Sequence, residues 1–218
     1  MADLGETLRL VELVCARLCH DLGGLIGTVG NAIEMVAEDA ERDDEVLAFA
    51  SSAAKSLSQR LRLLRAAWGP ETDPVALAAL VRLAAPPLGA RRIGLDVRVI
   101  GPDCVFPAPV ARVLLNLMVL ACDCLPKGGT IVLMGEPSDL LIRIDGPDAA
   151  WPAGFAACMG DEAAALEALA DAHSAQMPLT ALLAISRKLR LSAVVGPATG
   201  LEAIRLDAIA GGERDLRK

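Results

Sequence analysis

The chain has 218 residues, a formal net charge of −7 and 54% hydrophobic residues, while aromatic residues make up only 2%. This composition predicts a folded protein with an aliphatic core and excludes a disordered chain. The acidic balance argues against nucleic-acid binding and against membrane docking through basic clusters, because both need an excess of Lys and Arg.

Several signals for other compartments and for metal binding are missing from the sequence. No uncharged apolar run reaches the roughly 18 residues of a membrane span. The charges of Asp3, Glu6 and Arg9 exclude a secretory signal peptide. The six cysteines form no CxxC pair and there are only two histidines, so no zinc-ligand pattern exists. We therefore expect a cytoplasmic protein with reduced thiols and no metal site of its own.

The first part of the chain is predicted to form a helical hairpin. Its apolar residues recur in steps of four and three, which is typical of a helix-bundle seam. These residues are Leu4, Leu8, Val11, Cys15, Leu18, Leu22, Leu25, Val29, Ala32 and Val36. Acidic residues between Glu38 and Glu45 indicate a turn. A second helix is predicted from about Asp44 to Trp68, ended by Gly69-Pro70.

One hairpin cannot bury an apolar stripe of this width. Pairing with a second copy would give a homodimer with a four-helix bundle. The predicted organisation is a dimerising hairpin over 1–69, an α/β domain over 70–210 and a flexible tail over 211–218. The fold class is therefore α+β.

Shorter elements follow residue 70. Asp73-Pro74 is typical of a helix start, and Pro86-Pro87 is expected to end that helix. Alternation of apolar and polar residues predicts a strand over 93–99. The later elements are predicted as a helix over 107–124, strands over 130–134 and 140–145, helices over 162–172 and 179–189, and strands over 192–195 and 201–206. This order predicts a two-layer α/β sandwich.

A histidine stands out on the first helix. His20 occupies heptad position f, opposite the seam, so it is predicted to be exposed rather than a core residue. Four glycines lie on the same outer side, namely Gly23, Gly24, Gly27 and Gly30. Each costs about 1 kcal/mol relative to alanine inside a helix. A bare strip beside an exposed imidazole would let the backbone of another protein approach the ring.

These residues carry a family resemblance. The segment "RLCHDLGGLIGTVGNAIEMV" (Arg17–Val36) resembles the phospho-acceptor helix of two-component histidine kinases, and its "LCHDL" string is similar to that of the ChpT-type histidine phosphotransferases. In both groups a dimerising hairpin precedes a kinase-like (Bergerat/GHKL) ATPase-fold domain. The resemblance extends over essentially the whole chain, and it implies that His20 is the phosphorylated residue.

The second domain departs from the kinase pattern where nucleotide would bind. "RVLLNLMVLACDCLPKGGTIVL" (Arg112–Leu133) resembles the kinase N box, and Asn116 matches its first Asn. Leu120 replaces the Asn that holds Mg²⁺, Asp123 has the wrong charge for phosphate, and the glycine spacing after Asp145 is not kept. Met177, Pro178, Thr180 and Ala181 replace a glycine-rich phosphate loop. We expect no ATP binding and no cofactor, with Mg²⁺ supplied by a partner receiver domain.

The resemblance also suggests roles around His20. Asp21 would orient the imidazole or raise its basicity, and its alternative is an ordinary solvated acid. Arg17 would contact phosphate or an acidic receiver pocket, and its alternative is an ordinary surface residue. A turn centred near Arg42 would place residue 20 level with about residue 64. The predicted docking residues are Arg17, Gly24, Gly27, Arg60, Arg62 and Arg65. His173 is expected to be a surface residue.

The function implied is that of a histidine phosphotransferase in a phosphorelay. It would take a phosphoryl group from the receiver domain of a hybrid histidine kinase and pass it to a response regulator. Two alternatives remain open: a catalytically inactive dimeric adaptor that docks receivers, and a soluble histidine kinase with an eroded ATP site.

Overall fold

Two long helices form the N-terminal hairpin. The computed structural model describes residues 4–38, 43–70, 73–172, 174–196 and 201–208. Helix α1 spans Leu4–Glu38 and helix α2 spans Asp43–Trp68. With 35 residues, α1 is about 50 Å long at 1.5 Å per residue, and it continues unbroken through its glycines. The predicted hairpin is confirmed, while residues 39–42 of its predicted acidic turn lie outside the described residues.

The hairpin buries only part of its apolar seam. Leu18, Leu22, Leu25 and Val29 are half-buried and Ala32 is buried. The first turns of α1 reach past the last residue of α2. The seam residues in these turns are therefore exposed, namely Leu4, Leu8 and Val11. The hairpin therefore presents apolar surface that its own two helices do not cover.

The second part of the chain contains a mixed sheet. The helices are α3 (Leu77–Gly89), α4 (Ala108–Asp123), α5 (Phe155–Cys158), α6 (Glu162–Glu167) and α7 (Gln176–Ser186). The strands are β1 (Val75–Ala76), β2 (Ile93–Asp96), β3 (Val105–Phe106), β4 (Gly129–Glu136), β5 (Asp139–Asp145), β6 (Leu189–Val195) and β7 (Leu201–Ala208). Over the described ranges, the main sheet has the order β2-β4-β5-β7-β6, with β2 and β4 parallel and the other pairs antiparallel. Strands β1 and β3 pair separately. The α+β class with a hairpin followed by an α/β layer pair is confirmed.

A single hydrophobic core joins the hairpin to the sheet. Helix α4 is buried along nearly its whole length, which explains the uninterrupted apolar run in its sequence. Leu63, Leu64 and Ala67 of α2 belong to the same core as α4 and the sheet strands, and Leu18 and Leu22 of α1 pack against it. The last turns of α2 are therefore fixed to the second domain by buried apolar contacts.

A buried amide strengthens this junction. The Asn116 side chain on α4 is inaccessible to solvent. Its Nδ2 donates to the carbonyl oxygen of Ala67 at 2.7 Å, and its Oδ1 accepts from Trp68 Nε1 at 3.1 Å and from Gln176 Nε2 at 3.0 Å. One amide thus connects the end of α2 with α4 and α7, and these hydrogen bonds satisfy the buried Asn116 side chain.

Three element boundaries differ from the predictions. Asp73-Pro74 does not start the helix, because Val75 and Ala76 pair with β3 first and α3 begins at Leu77. Pro86 and Pro87 lie inside its last turns instead of ending it. The predicted strand over 93–99 ends at Asp96, whose carboxylate accepts the backbone N–H of Arg98 and turns the chain.

The remaining differences are small. Helix α7 begins at Gln176, earlier than predicted, and α6 ends at Glu167. The short strands β1 and β3 and the helix α5 were not predicted. The predicted tail over 211–218 and His173 lie outside the described residues.

Candidate phosphotransfer site

His20 projects from the outer side of α1. Its side chain is 75% exposed, as the heptad position predicted. A Cβ atom added at Gly23, Gly24, Gly27 or Gly30 would meet no other group within 4 Å, so these residues leave a bare strip along the helix. The strip is open to a partner, and within the part of the chain that the structure describes no packing contact requires glycine there.

Asp21 points inward from the next position on the helix. Its side chain is 10% exposed, and its Oδ2 accepts a hydrogen bond from Arg60 Nη2 at 2.7 Å. Its Oδ1 lies 3.4 Å from Arg17 Nε. Burial alone would raise the pKa of Asp21, but the hydrogen bond from Arg60 and the charges of Arg17 and Arg60 outweigh it, so the pKa lies below its ordinary value. Asp21 is therefore an ionised carboxylate at neutral pH.

The carboxylate of Asp21 also faces the histidine. Its Oδ1 lies 3.6 Å from His20 Nδ1. A carboxylate near Nδ1 favours the tautomer with the proton on that nitrogen, in which the lone pair of the ring lies on Nε2. Asp21 is therefore not the solvated acid of the alternative interpretation, because its side chain is 10% exposed, and its orienting role stays a prediction.

Arg17 lies inside the domain junction instead of on the docking surface expected for it. The residue is 4% exposed, and its Nη2 donates to Asp123 Oδ2 at 2.6 Å. Burial alone would lower the pKa of Arg17, but the hydrogen bond and charge of Asp123 raise it above its ordinary value. Asp123, at the end of α4, therefore ties the second domain to α1 one turn before His20.

The second domain forms one wall of a cleft at His20. The cleft has a volume of about 350 Å³. Its lining residues come from α1, α2 and the end of α3, and they are His20, Asp21, Leu25, Ser56, Arg60, Pro87, Ala90 and Arg91. Arg91 also donates from Nη1 to Asp123 Oδ1 at 3.1 Å. Two guanidinium groups, those of Arg60 and Arg91, thus line the space beside the imidazole.

The structure brings together some of the predicted docking residues and separates others. Arg60 reaches the cleft, whereas Arg62 and Arg65 are exposed on α2 and do not line it. Asp21 contacts Arg60, so the residue level with His20 lies nearer 60 than the predicted 64. The reason is the position of the turn, since α1 ends at Glu38 and α2 begins at Asp43.

Sequence reasoning missed Arg91 and the role of Asp123. Arg91 follows an apolar helix and has no pattern that links it to His20. Asp123 was interpreted only by its mismatch with the kinase pattern, because its contact with Arg17 joins residues that are far apart in sequence.

The residues at the kinase nucleotide positions serve the core and the junction. Leu120 is buried in the hydrophobic core. The Asn116 side chain makes the hydrogen bonds with the end of α2 that are described above. Pro178 and Thr180 are buried within α7, where Thr180 Oγ1 donates to the carbonyl oxygen of Gln176. Asp145 is exposed at the end of β5.

Two further features concern membrane crossing and metal binding. Among the residues that the structure describes, no helix combines the length and the apolar character that crossing a bilayer requires. Over the same residues, no group of three or more His, Cys, Asp or Glu side chains is arranged to hold a metal ion.

Comparison with known proteins agrees with this architecture. The chain is 27% identical over 206 residues to the protein phosphotransferase ChpT of Brucella abortus, covering 86% of this chain and 90% of that protein. A solved structure described as a bacterial phosphotransferase superposes with a TM-score of 0.69 and 24% identity, covering 94% of this chain and 97% of the other. The histidine kinase AdeS of Acinetobacter baumannii aligns with a TM-score of 0.41 and 11% identity, over 86% and 95% of the two chains.

A family model gives the assignment. Residues 77–199, more than half of the chain, match the model of the histidine phosphotransferase C-terminal domain. That range contains α3 to α7, four of the five strands of the main sheet and the residues that form the far side of the His20 cleft. The chain therefore belongs to the histidine phosphotransferase family, and the ChpT of Brucella abortus is a similar protein.

Proposed function

We propose that this protein transfers phosphoryl groups between aspartates of receiver domains through His20, in a two-component phosphorelay. The observation that carries the proposal is the exposed His20 imidazole beside a bare glycine strip, with the ionised Asp21 held behind it by Arg60 and Arg17. The 27% identity to a protein phosphotransferase supports the same reaction class.

The transfer step needs few groups from this chain. The Nε2 electron pair of His20 attacks phosphorus of the donor's aspartyl phosphate, a P–N bond forms, and the P–O bond to the aspartate breaks. The aspartate leaves as a carboxylate with the bonding pair. The ring then carries positive charge with a proton on Nδ1, which lies 3.6 Å from Asp21. Loss of that proton to solvent leaves a neutral ring that carries the negatively charged phosphoryl group. The acceptor aspartate reverses these bond changes, and catalysis is mainly positioning and charge stabilisation.

We infer that no nucleotide takes part on this chain. Three observations support this inference. Leu120 is buried, the Asn116 amide is hydrogen-bonded to the end of α2, and Asp123 is ion-paired with Arg17. Each position that would contact Mg²⁺ or phosphate therefore serves the fold instead. The Mg²⁺ needed for transfer would come with the receiver domain.

A homodimer completes the proposal. The exposed large apolar side chains of the hairpin are Leu4, Leu8, Val11, Ile26, Ile33, Met35, Leu47, Phe49 and Leu61. A second copy of the hairpin is the partner that matches such a stripe, because a four-helix bundle buries the apolar faces of two identical hairpins against each other. The exposed His20 would remain outside that bundle.

The deciding experiment uses the full chain, labelled ATP and a phosphorylated receiver domain of a hybrid kinase. We expect label on the protein from the phosphorylated receiver and none from ATP alone. His20→Gln should lose all labelling, whereas the exposed Lys55→Gln on α2 should label as wild type does. Labelling by ATP alone would identify a kinase, labelling by neither source an adaptor, and labelling of His20→Gln would overturn the proposal.

A further inference from the structure

We infer that the second domain completes the phosphotransfer site by supplying Arg91, which binds the phosphoryl group carried by His20. The inference rests on the proposed function, since it concerns the same site. It assigns a direct binding role to a domain that has lost the residues of a nucleotide site.

The first argument is placement. Arg91 lies just beyond the end of α3 and lines the cleft that contains His20, Asp21 and Arg60. The backbone around it is anchored, because Arg91 N donates to the carbonyl oxygen of Leu88 at 2.9 Å and the next residue, Arg92, accepts from Gly129 N at 3.1 Å. Arg91 thus projects from a fixed turn bonded to the edge of the sheet.

The second argument is charge. Three guanidinium groups, of Arg17, Arg60 and Arg91, face two carboxylates, of Asp21 and Asp123. These five side chains together carry one net positive charge next to His20, in a chain whose net charge is −7. A phosphoryl group on His20 would bring negative charge to this place.

The third argument is availability. The side chain of Arg60 is 12% exposed and that of Arg17 is 5% exposed, and both are engaged with Asp21, whose side chain is 10% exposed. The side chain of Arg91 is 45% exposed. Its ion pair with Asp123 uses Nη1, and a guanidinium has five N–H donors in a planar fork suited to phosphate oxygens. Arg91 therefore retains donors that can face the cleft while Asp123 orients it.

The position of Asp123 fits this orienting role. It is the last residue of α4, where a carboxylate meets the negative end of the helix dipole and is disfavoured. Its two oxygens are divided between Arg17 and Arg91. This arrangement holds Arg91 at the mouth of the cleft and Arg17 behind Asp21.

The test removes receiver docking from the measurement. The full chain is incubated with phosphoramidate, a small phosphoryl donor, and phosphohistidine is followed against donor concentration. In this reaction the P–N bond of the donor breaks, ammonia leaves, and a P–N bond to His20 forms. We expect Arg91→Ala to lower the labelling rate at limiting donor by about tenfold, and Arg91→Lys to restore part of it. Arg82→Ala replaces an exposed arginine on α3 that does not line the cleft, and this variant should behave as wild type.

The outcomes separate this inference from the proposed function. Wild-type labelling that depends on His20, together with equal rates for Arg91→Ala and Arg82→Ala, overturns the role of Arg91 alone. No His20-dependent labelling of the wild type, from phosphoramidate or from a phosphorylated receiver, counts against the proposed function itself. Thermal unfolding of each variant checks the fold, and Arg91→Lys keeps the comparison decisive if Arg91→Ala is unstable.

Discussion

Asp21 and Arg60 meet across the hairpin, with 2.7 Å between Oδ2 and Nη2, although 39 residues separate them in sequence. The contact sets the register of α1 against α2 and fixes the carboxylate that faces His20. A charge-assisted hydrogen bond of this kind contributes about 1.5–3 kcal/mol when it is shielded from water. Stability and site geometry therefore depend on the same pair.

Asp21→Asn should lower the free energy of unfolding by about 2 kcal/mol at pH 7, because the variant loses the charge that Arg60 and Arg17 stabilise. The native pKa of Asp21 lies below its ordinary 3.8, so this stabilisation is present above pH 3.8 and is lost as the pH falls through the native pKa. The difference in the free energy of unfolding between wild type and variant, measured by urea titration, should therefore become smaller from pH 7 to pH 3. The exposed Asp103→Asn serves as the control, and a difference independent of pH would contradict the assignment.

Gly27 lies two turns from His20 on the same face of α1 and has open space at its Cβ position. Gly27→Leu should stabilise the protein by about 0.5–1 kcal/mol, because leucine is a better helix former. It should slow transfer from a phosphorylated receiver at least tenfold while labelling by phosphoramidate stays unchanged, since only a protein donor needs the bare strip. Gly101→Leu, at another open glycine, is the matched control. Unchanged transfer from the receiver would remove the docking role of the strip.

Phe49 is 57% exposed on α2, so its replacement removes little from the isolated hairpin. In a symmetric dimer the substitution occurs once in each subunit, so its effect on the dimer is doubled. Burying one phenylalanine contributes about 1.5–3 kcal/mol. Phe49→Lys should therefore weaken the dimer at least a hundredfold, as measured by sedimentation equilibrium, with little change in circular dichroism. A wild-type protein that sediments as a 22.7 kDa monomer at micromolar concentration would contradict the proposed assembly.

Leu120→Asn, which restores the kinase residue at that position, should not create an ATP site. Leu120 is buried in the core, and an amide placed there without partners costs about 1–3 kcal/mol. Isothermal titration calorimetry at millimolar ATP and Mg²⁺ should show no saturable binding for wild type or variant. Saturation of the wild type below about 100 μM would revive the kinase interpretation.

The elements of the hairpin were predictable because a seam that repeats over many turns leaves little choice of secondary structure. The register of α1 against α2 was harder to predict. The residues between Glu38 and Asp43 contain no Gly or Pro to place the turn, and a shift of the turn by about two residues moves every cross-helix pair by about four. Asp21 consequently meets Arg60 instead of a residue near 64.

The contribution of the second domain to the site was not predictable from local patterns. Asp123 and Arg17 are 106 residues apart, and only the packing of α4 against α2 brings them together. Compared with a kinase motif, Asp123 signals a lost function. In the folded chain the same charge holds two arginines, and the sequence gives no indication of that pairing.

The hydrogen bonds of Asn116 with Ala67, Trp68 and Gln176 oppose any separation of the second domain from the hairpin. An enzyme that phosphorylates its own histidine from bound ATP must bring its nucleotide domain to that histidine and then withdraw it before a receiver can enter. Withdrawal here would break a buried set of hydrogen bonds and open the apolar contacts of Leu63 and Leu64. A protein that exchanges phosphoryl groups only with visiting partners has no such cycle to perform. For the transfer proposed here, the junction that Asn116, Leu63 and Leu64 form can stay closed while receiver domains bind and leave.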